Sequence, residues 1–302
     1  MTAKTCGLPR HVSNESLNDQ ITTALLRWGS SELRDLPWRR TSNAWYVFVS
    51  EVMLQQTSVA RVLPKYEAFI ERFPTPQSLA EASLGDALAL WNGLGYPRRC
   101  RNLQASAQMI YARHGGEVPD TLEAMLALPG VGAYTARAVL SFAYRQDVAV
   151  VDTNVARIIA RMTGVPLKAR ELQERADELL PMGLSWEWNQ VMMDFGARIC
   201  VARSPKCSEC VVQDICVWRG GPDSPDPAPA TAGTSKPQSR FEGSDRQARG
   251  RAMKAAIKNE LSHADLVEAM QLEHDPARAQ RLIESLLSDG LLKHDKGLFT
   301  LP

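Results

Sequence analysis

The sequence predicts an all-α protein with a small additional module at its carboxyl end, and two observations carry this prediction. Apolar residues recur with helical spacing through most of residues 15–218, whereas only residues 148–151 resemble a strand. The composition, 44% hydrophobic and 23% charged, is that of a globular protein. A chain of 302 residues has the length of about two domains and can bury a substantial core.

Helices are predicted wherever apolar residues repeat every three to four positions. In chain order they cover residues 17–28, 46–59, 62–73, 78–82, 84–91, 99–114, 122–126, 133–144, 153–162 and 172–180. Helix-breaking residues agree with this division. Gly115 and Gly116 follow one predicted helix, and Pro74 and Pro76 precede another.

The composition changes after residue 218. Prolines alternate with small and polar residues from Pro222 to Pro237, so residues 219–250 are predicted to form a linker. Residues 251–302 are predicted to form a small module of uncertain role. Its pattern gives short helices at 252–261, 264–271 and 277–287, followed by a hairpin around residues 294–297, which is typical of a winged-helix-like fold.

The beginning of the chain and its charge limit the classes of protein. The first residues lack the apolar stretch of a signal peptide, and no run of about 18 apolar residues could span a membrane. We therefore expect a cytoplasmic protein. The balance of 35 basic and 34 acidic residues indicates no global affinity for nucleic acid, although a local basic strip is compatible with it.

Four of the six cysteines lie in one polar loop and are predicted to hold a metal centre. Cys200, Cys207, Cys210 and Cys216 have the spacing C-x6-C-x2-C-x5-C. Structural zinc sites usually have two close ligand pairs separated by a longer loop. Here two single cysteines bracket one close pair, as four thiolates around a cubane would. We predict a [4Fe-4S] cluster with a structural or DNA-sensing role, and zinc or no metal as alternatives.

A glycine hairpin and an aspartate follow one another in the middle of the chain. Gly130 and Gly132, in Leu-Pro-Gly-Val-Gly-Ala-Tyr, permit a tight turn before a helix whose amide groups would attract phosphate. The dinucleotide-binding pattern G-x-G-x-x-G fails because Thr135 stands at its third glycine. Asp152 follows the apolar run 148–151. Taken alone, the hairpin could be a helix-packing corner and Asp152 a helix N-cap.

Together, the hairpin, the aspartate and the cysteine spacing resemble the iron–sulfur members of the helix-hairpin-helix DNA glycosylase superfamily, over residues 20–218. The resemblance implies a glycosylase core at residues 15–218, with a six-helix part at about 43–148 and an iron–sulfur part at about 15–42 and 149–218. It also implies double-stranded DNA as the partner, so we expect a nucleoid-associated monomer.

Two branches of this superfamily compete. The endonuclease III-like lyases carry a lysine in the helix after the hairpin, where this sequence has Tyr134, and no lysine lies between Lys65 and Lys168. Without that amine we expect no Schiff base, so water is the nucleophile. Residues 50–57, Ser-Glu-Val-Met-Leu-Gln-Gln-Thr, closely resemble the signature of the MutY-like adenine glycosylases, many of which also have a tyrosine at position 134.

The resemblance implies catalytic roles for two carboxyl groups. Glu51 lies among apolar residues, where its pKa would be raised, and it would be the general acid that protonates adenine. Taken alone, it could equally be an exposed helix residue. The charge of Asp152 would stabilise an oxocarbenium-like sugar. Tyr134 and Asn154 would hold Asp152 or the sugar in place. The adenine must be flipped out of the duplex to reach them.

The resemblance further implies contacts to bases and DNA at Trp38, Arg39, Gln56, Thr57, Leu94, Tyr96, Gly130, Gly132 and Gln190. Gln56 and Thr57 would contact the base opposite the adenine, and the loop with Leu94 and Tyr96 would insert its aromatic ring near that base.

The adenine pocket would be lined by Trp38, Arg39 and Gln190. Three arginines, at positions 98, 99 and 101, are expected to contact phosphates, with a solvated helix start as the alternative.

The sequence departs from the MutY-like pattern in three places. Pro97 replaces a second aromatic residue, and Thr153 stands where most members have glycine. The larger α/β C-terminal domain that helps recognise 8-oxoguanine is not evident. We predict a monofunctional adenine glycosylase acting on adenine opposite 8-oxoguanine or G. The alternatives are a thymine or uracil mismatch glycosylase, a lyase, and a non-catalytic iron–sulfur DNA-binding or redox-sensing protein.

Overall fold

A computed structural model describes residues 14–220, 224–234 and 239–302, and it confirms the predicted all-α class. In the described residues the helices are α1 (Asn14–Glu32), α2 (Ala44–Leu54), α3 (Val59–Arg72), α4 (Pro76–Ala80), α5 (Leu84–Trp91), α6 (Arg98–Arg113), α7 (Leu122–Leu126), α8 (Ala133–Tyr144), α9 (Thr153–Thr163), α10 (Ala169–Glu178), α11 (Ser185–Arg198), α12 (Asp245–Ala256), α13 (His263–Met270) and α14 (Pro276–Ser288). Two short strands, β1 (Lys293–Asp295) and β2 (Leu298–Thr300), follow. None of the described helices has the length and apolar character that crossing a bilayer requires.

The chain divides into two compact units. The cysteine-loop unit comprises Met1–Arg34 and Arg145–Lys236, and the hairpin unit comprises Asp35–Tyr144 and Pro237–Pro302. The divisions after residues 34 and 144 lie near the boundaries expected at about 42 and 148. Residues 224–234, in the expected linker, belong to the cysteine-loop unit and are partly buried there. The C-terminal module belongs to the hairpin unit.

The hairpin unit is built around α2, which is apolar on nearly all sides. Its buried side chains include Phe48 and Met53, and it packs against α3, α6 and α8. The indole N–H of Trp45 donates to the carbonyl of Phe73 at 3.0 Å. Asn43 caps the helix by accepting a hydrogen bond from a first-turn amide. The helix that carries Glu51 is therefore fixed by its neighbours on several faces.

The predicted glycine hairpin joins α7 to α8. Gly130 has a φ of +75°, and a Cβ there would lie 2.7 Å from Asn102 Nδ2 on α6, so the position requires glycine. The amide of Val131 donates to the carbonyl of Leu128 at 3.2 Å and closes the turn. Gly132 is exposed, with open space around its Cα, so only the first glycine is required by the packing.

The cysteine-loop unit encloses its core between α1, α9, α10 and α11. Leu25, Ile159 and Phe195 are among the buried side chains. Arg34, just after α1, donates its main-chain amide and its guanidinium to the fully buried carboxylate of Asp194 on α11, at 2.5–2.9 Å. This charge-assisted contact ties the chain leaving α1 to α11.

The prediction of a strand at residues 148–151 is wrong. The segment has no partner strand among the described residues. Instead, the side-chain amide of Asn189 on α11 accepts a hydrogen bond from the Val150 amide at 2.9 Å and donates to the Val148 carbonyl at 3.0 Å. Gln173 Nε2 donates to the Ala149 carbonyl at 3.2 Å, so polar side chains take the place that a neighbouring strand would have had.

The C-terminal module has the predicted order of three helices and a hairpin. α12 begins at Asp245, earlier than predicted, because Ser244 caps it. It also ends earlier, because the main chain of Leu261 pairs with Phe299 through hydrogen bonds of 3.0 and 2.7 Å. β1 and β2 are antiparallel, and Leu261 forms an isolated antiparallel bridge with Phe299 of β2. This arrangement is typical of a winged helix.

Candidate active site

Glu51 lies in the buried helix α2 and is only 4% exposed. The hydroxyl of Tyr134, on α8, donates a hydrogen bond to Glu51 Oε2 at 2.8 Å. The two helices pack directly against one another, and the glycine hairpin fixes where α8 begins. Since a buried carboxyl group is costly without a hydrogen-bond partner, the Tyr134 hydroxyl lowers the cost of placing Glu51 inside the unit. The structure thus brings together two of the predicted catalytic residues.

The turn that follows α2 presents Gln56 outward. Gln56 is exposed and has a left-handed φ of 57°, an uncommon conformation for a residue with a side chain. Its neighbours are held in place. Gln55 Nε2 donates to Thr135 Oγ1 at 3.1 Å, and the Thr57 hydroxyl donates to the Leu94 carbonyl at 3.1 Å. Of the two residues predicted to meet the opposite base, Gln56 is therefore accessible and Thr57 is half-buried.

A second turn, before α6, carries Leu94 and Tyr96. Leu94 is buried, so it packs inside the hairpin unit. Gly95 and Tyr96 both have left-handed φ angles, 75° and 49°. The Tyr96 side chain is half-buried and is the aromatic group that this turn offers.

Arg99, on α6, binds both turns. Its Nη1 donates to the carbonyls of Val52, Met53 and Gln55 at 2.9, 2.8 and 2.5 Å. Its Nη2 donates to Thr57 Oγ1, Leu94 O and Gly95 O at 2.9, 3.1 and 3.0 Å. Burial lowers the pKa of the Arg99 guanidinium to about 10, so it stays protonated at neutral pH.

The expectation that Arg99 contacts phosphate is wrong, because both of its Nη groups donate to the two turns and its Nε is buried. The neighbouring arginines also have partners in the hairpin unit. Arg98 forms an ion pair with Asp289 at 2.5 Å, and Arg101 donates to the Asp289 carbonyl. Arg98 is the most exposed of the three.

Trp38 and Arg39 lie in a short 3-10 helix, Pro37–Arg39, that precedes α2. Trp38 is buried, with its ring edge-on to Tyr66 at a centroid distance of 5.3 Å. Arg39 is half-buried. Trp38 therefore contributes to the packing of the hairpin unit, while Arg39 keeps part of its side chain accessible.

In the cysteine-loop unit, Asp152 caps α9. Its Oδ1 accepts hydrogen bonds from the amides of Asn154 and Val155 at 2.8 and 2.7 Å, and its Oδ2 accepts one from Asn154 Nδ2 at 2.7 Å. Burial raises the pKa of the Asp152 carboxyl above its ordinary value, and these donors and Arg157 oppose that rise. The N-cap interpretation and the catalytic interpretation are therefore compatible, since the cap fixes the carboxylate's position.

Arg157, which sequence reasoning missed, links this aspartate to the cysteine loop. Its Nη2 donates to Asn154 Oδ1 and to the Gly196 carbonyl, both at 2.7 Å, and its Nε donates to the Cys200 carbonyl at 2.7 Å. The available signal was a basic residue one helical turn after Asn154, on a face of α9 that is otherwise apolar. Arg157 thus holds the asparagine that in turn binds Asp152.

Gln190 lies on α11, buried, next to the Asn189 that binds the 148–151 segment. Its burial agrees with a polar position inside a pocket rather than on the surface. No hydrogen bond of Gln190 within the described residues fixes the orientation of its amide.

The four cysteines of the loop line one cavity. Arg161 and Trp218 line it as well. Arg161 Nη1 donates to Cys200 Sγ at 3.4 Å, and Cys216 Sγ donates to the Arg161 carbonyl at 3.4 Å.

The chemistry of this cavity fits a multi-atom group with thiolate ligands. All four thiols are half-buried and none forms a disulfide. Within the described residues, no three side chains of the His, Cys, Asp and Glu types are grouped closely enough to hold one metal ion. At Gly220 a Cβ would lie 2.7 Å from Cys207 Sγ, so the chain needs glycine there to pass the thiol. The donor set and spacing suit a cluster better than a single ion.

Comparison with known families decides the relationship. The family model of the HhH-GPD superfamily base excision DNA repair proteins matches residues 49–219, more than half of the chain. The match includes Glu51, the hairpin, Asp152 and all four cysteines. The chain belongs to the HhH-GPD superfamily. The prediction of an enzyme of the DNA glycosylase class is thereby confirmed.

Relatives of this HhH-GPD protein match either nearly its whole length or about two thirds of it. The adenine DNA glycosylase of Mycobacterium tuberculosis is 40% identical over 304 residues, which cover 97% of this chain and 95% of the relative. The adenine DNA glycosylase of Homo sapiens is 41% identical over 208 residues, 64% of this chain and 38% of the human protein. The predicted resemblance to adenine glycosylases is confirmed.

Solved structures agree on the fold. A thermostable thymine-DNA glycosylase superposes with a TM-score of 0.65 and 28% identity, over 69% of this chain and 99% of that one. An endonuclease III trapped in a covalent intermediate with DNA superposes with a TM-score of 0.61 and 24% identity, over 67% of this chain and 96% of that one. The second likeness establishes the fold alone.

Proposed function

We propose that this HhH-GPD protein is a monofunctional adenine DNA glycosylase that hydrolyses the N-glycosidic bond of adenine opposite 8-oxoguanine or G. The observation that carries the proposal is the hydrogen bond from Tyr134 to the buried carboxyl of Glu51. A tyrosine stands where a lyase would place its lysine, and a proton-donating group lies beside it. The relatives named adenine DNA glycosylase support the same conclusion.

Glu51 serves as the general acid. Adenine is a poor leaving group unless a ring nitrogen gains a proton, and Glu51 supplies that proton as the bond from C1′ to the base nitrogen breaks. The bonding electron pair leaves with the base. The carboxylate left on Glu51 is then stabilised by the Tyr134 hydroxyl, which already donates to Oε2.

Asp152 stabilises the positive charge that develops on the sugar. The main-chain amides of Asn154 and Val155 and the side-chain amide of Asn154 hold its carboxylate in one orientation. No reorganisation is therefore needed as the charge develops. Water then adds to C1′ and releases one proton to solvent. With no lysine between Lys65 and Lys168, no side-chain amine is available in that region to form a Schiff base.

The substrate is double-stranded DNA from which the adenine is flipped. Gln56, Thr57 and Tyr96 contact the opposite base, and Arg39 and Gln190 contact the adenine. The two predicted opposite-base turns are held together by Arg99, which supports a common function for them. The enzyme acts as a cytoplasmic, nucleoid-associated monomer.

Cys200, Cys207, Cys210 and Cys216 are the ligands that would hold a [4Fe-4S] cluster. When bound, it would cross-link four points of a loop that has little regular structure of its own. The carbonyl of Cys200 binds Arg157, which binds Asn154, so an ordered loop supports the position of Asp152.

The test is a single-turnover assay of iron-reconstituted protein on duplexes with A, T or U opposite 8-oxoguanine or G, analysed with and without alkali. We expect base loss only from adenine, with strand breakage only after alkali. The likeness to a thymine-DNA glycosylase makes thymine the second candidate, and base loss from T opposite G would select it. Breakage without alkali would identify a lyase.

Glu51→Gln tests the general acid within this assay. We expect excision to fall by about 100-fold or more, since general acid catalysis contributes roughly 10²–10⁴. Duplex binding should persist, because the amide keeps the shape of the side chain. Glu67→Gln, at an exposed glutamate of α3 in the same unit, is the matched control. Excision by Glu51→Gln at the wild-type rate would rule out this role.

A further inference from the structure

The C-terminal module is anchored beside the turn that carries Tyr96. Asp289, at the end of α14, has a side chain that is 8% exposed and forms ion pairs with Arg98 on α6 and Arg249 on α12, each at 2.5 Å. The Pro302 carbonyl accepts a hydrogen bond from the Gly85 amide at 2.9 Å. The module is thus held by a buried charge network and by its last residue.

Arg246, on α12, reaches from this module to Tyr96. Its Nη1 donates to the Tyr96 hydroxyl at 3.2 Å. Its Nη2 donates to the Ser239 carbonyl at 2.7 Å, and its guanidinium lies 5.9 Å from the ring centroid of Phe241. Tyr96 therefore has one guanidinium at its hydroxyl and another over its ring, since that of Arg99 lies 5.5 Å from the ring centroid.

From this contact we propose that Arg246 is a positioning residue that fixes the Tyr96 ring for the base opposite the adenine. Through it, the C-terminal module contributes to duplex recognition. The inference rests on the proposed function, which places Tyr96 beside that base. The sequence alone predicts no role for this module.

The physical reason is preorganisation. A half-buried ring that must stack in one place on binding loses side-chain freedom at that moment, which reduces affinity. A hydrogen bond made before DNA arrives removes part of that cost.

Arg246 acts through Tyr96 rather than by binding phosphate. Its second Nη is engaged by the Ser239 carbonyl and its face by Phe241, so it is held inside the module. The two modes differ in salt dependence. An arginine that binds a phosphate contributes about 0.9 to the slope of log K against log salt concentration, whereas a positioning arginine contributes nothing to it.

The experiment measures the Kd of the full-length, iron-reconstituted protein for a duplex with 2′-fluoro-2′-deoxyadenosine, which resists cleavage, opposite 8-oxoguanine, at several salt concentrations. We expect Arg246→Ala to raise the Kd about three- to tenfold, the value of one hydrogen bond, with an unchanged salt slope. Arg246→Lys should lie between, because lysine lacks the fork that binds Tyr96 and Ser239 together. Lys254→Ala, at an exposed position of α12, should match wild type.

A double-mutant cycle with Tyr96→Phe isolates the contact. In the phenylalanine background, which lacks the hydroxyl, Arg246→Ala should have no further effect on Kd. Each variant's thermal midpoint is checked to show that the module is folded. A wild-type Kd for Arg246→Ala, a full effect in the Tyr96→Phe background, or a slope reduced by about 0.9 would each overturn the inference. If wild-type protein excises no adenine, the proposed function fails instead.

Discussion

Each of the two units holds an inward-facing arginine, and the surroundings of the two guanidinium groups differ. Arg161, in the cysteine-loop unit, is 2% exposed, pairs with Asp226 at 2.7 Å and lies 4.6 Å from the ring centroid of Trp218. Arg99, in the hairpin unit, binds carbonyl groups and one hydroxyl, and no carboxylate among the described residues pairs with it. One buried cation is neutralised and the other is solvated by main-chain dipoles.

The pKa values reflect this difference. Burial opposes the charge of Arg161, but Asp226 and Cys200 outweigh burial and raise its pKa. Burial lowers the pKa of Arg99 to about 10. We infer that Arg161 stabilises the loop that carries the four cysteines. Arg99 instead orders two turns and leaves a positive charge beneath a surface proposed to meet DNA.

The largest effect is expected for Arg161→Met. This change leaves the Asp226 carboxylate without its cation and removes the contact with Trp218. Breaking a buried ion pair on one side typically costs about 3 kcal/mol or more. For a unit of this size the thermal midpoint should fall by about 6–12 °C, measured by circular dichroism on the iron-reconstituted protein.

Arg170→Met is the matched control, because Arg170 pairs with Glu174 on the exposed face of α10 in the same unit. Its midpoint should equal that of wild type within error, since exposed pairs contribute little. Equal midpoints for Arg161→Met and Arg170→Met would contradict the view that Arg161 is a stability residue.

A smaller loss of stability but a clear loss of activity is expected for Arg99→Gln. Removing a buried cation that has no carboxylate partner relieves a desolvation cost, which offsets part of the lost hydrogen bonds. The carbonyls of Val52 and Met53, at the end of the helix that carries Glu51, lose their donor. We expect single-turnover excision to fall about tenfold, roughly 1.4 kcal/mol.

Arg113→Gln, an exposed arginine in the last turn of the same helix, should leave the excision rate unchanged. If Arg99→Gln instead lowers the midpoint as much as Arg161→Met and leaves excision intact, the two arginines have the same structural role and the contrast between the units fails.

The fold was largely predictable because its helices are amphipathic and their ends carry ordinary caps and breakers. The prediction missed α11 (Ser185–Arg198), and it failed at residues 148–151, where an apolar run of β-forming residues resembles a strand. Its partner is Asn189, which is 39 residues away from Val150 in the sequence. Local pattern cannot show that a distant side chain replaces a neighbouring strand.

The site was predictable where a residue's role follows from its own chemistry. The residue type and apolar surroundings of Glu51 predict an acid, and the spacing of the four cysteines predicts metal ligands. The arginines do not. Arg99 stands in a run of basic residues that is typical of a phosphate-binding helix start, and only packing shows that it faces inward. Arg246 has no signal at all, because its partner Tyr96 lies 150 residues earlier in the chain.

The smallest effect is expected at Asp152. It tests whether neighbouring groups offset the burial of this charge, as Asp226 does for Arg161. Burial raises the pKa of Asp152, so the carboxylate, and with it excision, is lost at a higher pH on acidification than for an ordinary aspartate. Asn154→Ala removes the donor to Oδ2 and should raise that pKa further. The acid limb of the single-turnover rate should then move to higher pH, and the rate near neutrality should fall less than for Arg99→Gln, because two main-chain amides still hold Oδ1.

Asn18→Ala, an asparagine of α1 in the same unit, should leave the acid limb in place. An acid limb that does not move in Asn154→Ala would mean that the main-chain amides at positions 154 and 155 alone stabilise the Asp152 carboxylate. A limb moved to lower pH would mean that the Asn154 side chain disfavours the carboxylate. In either case the hydrogen bonds from Arg157 to Asn154 would not affect the charge of Asp152. The charge compensation seen at Arg161 would then be confined to the cysteine loop.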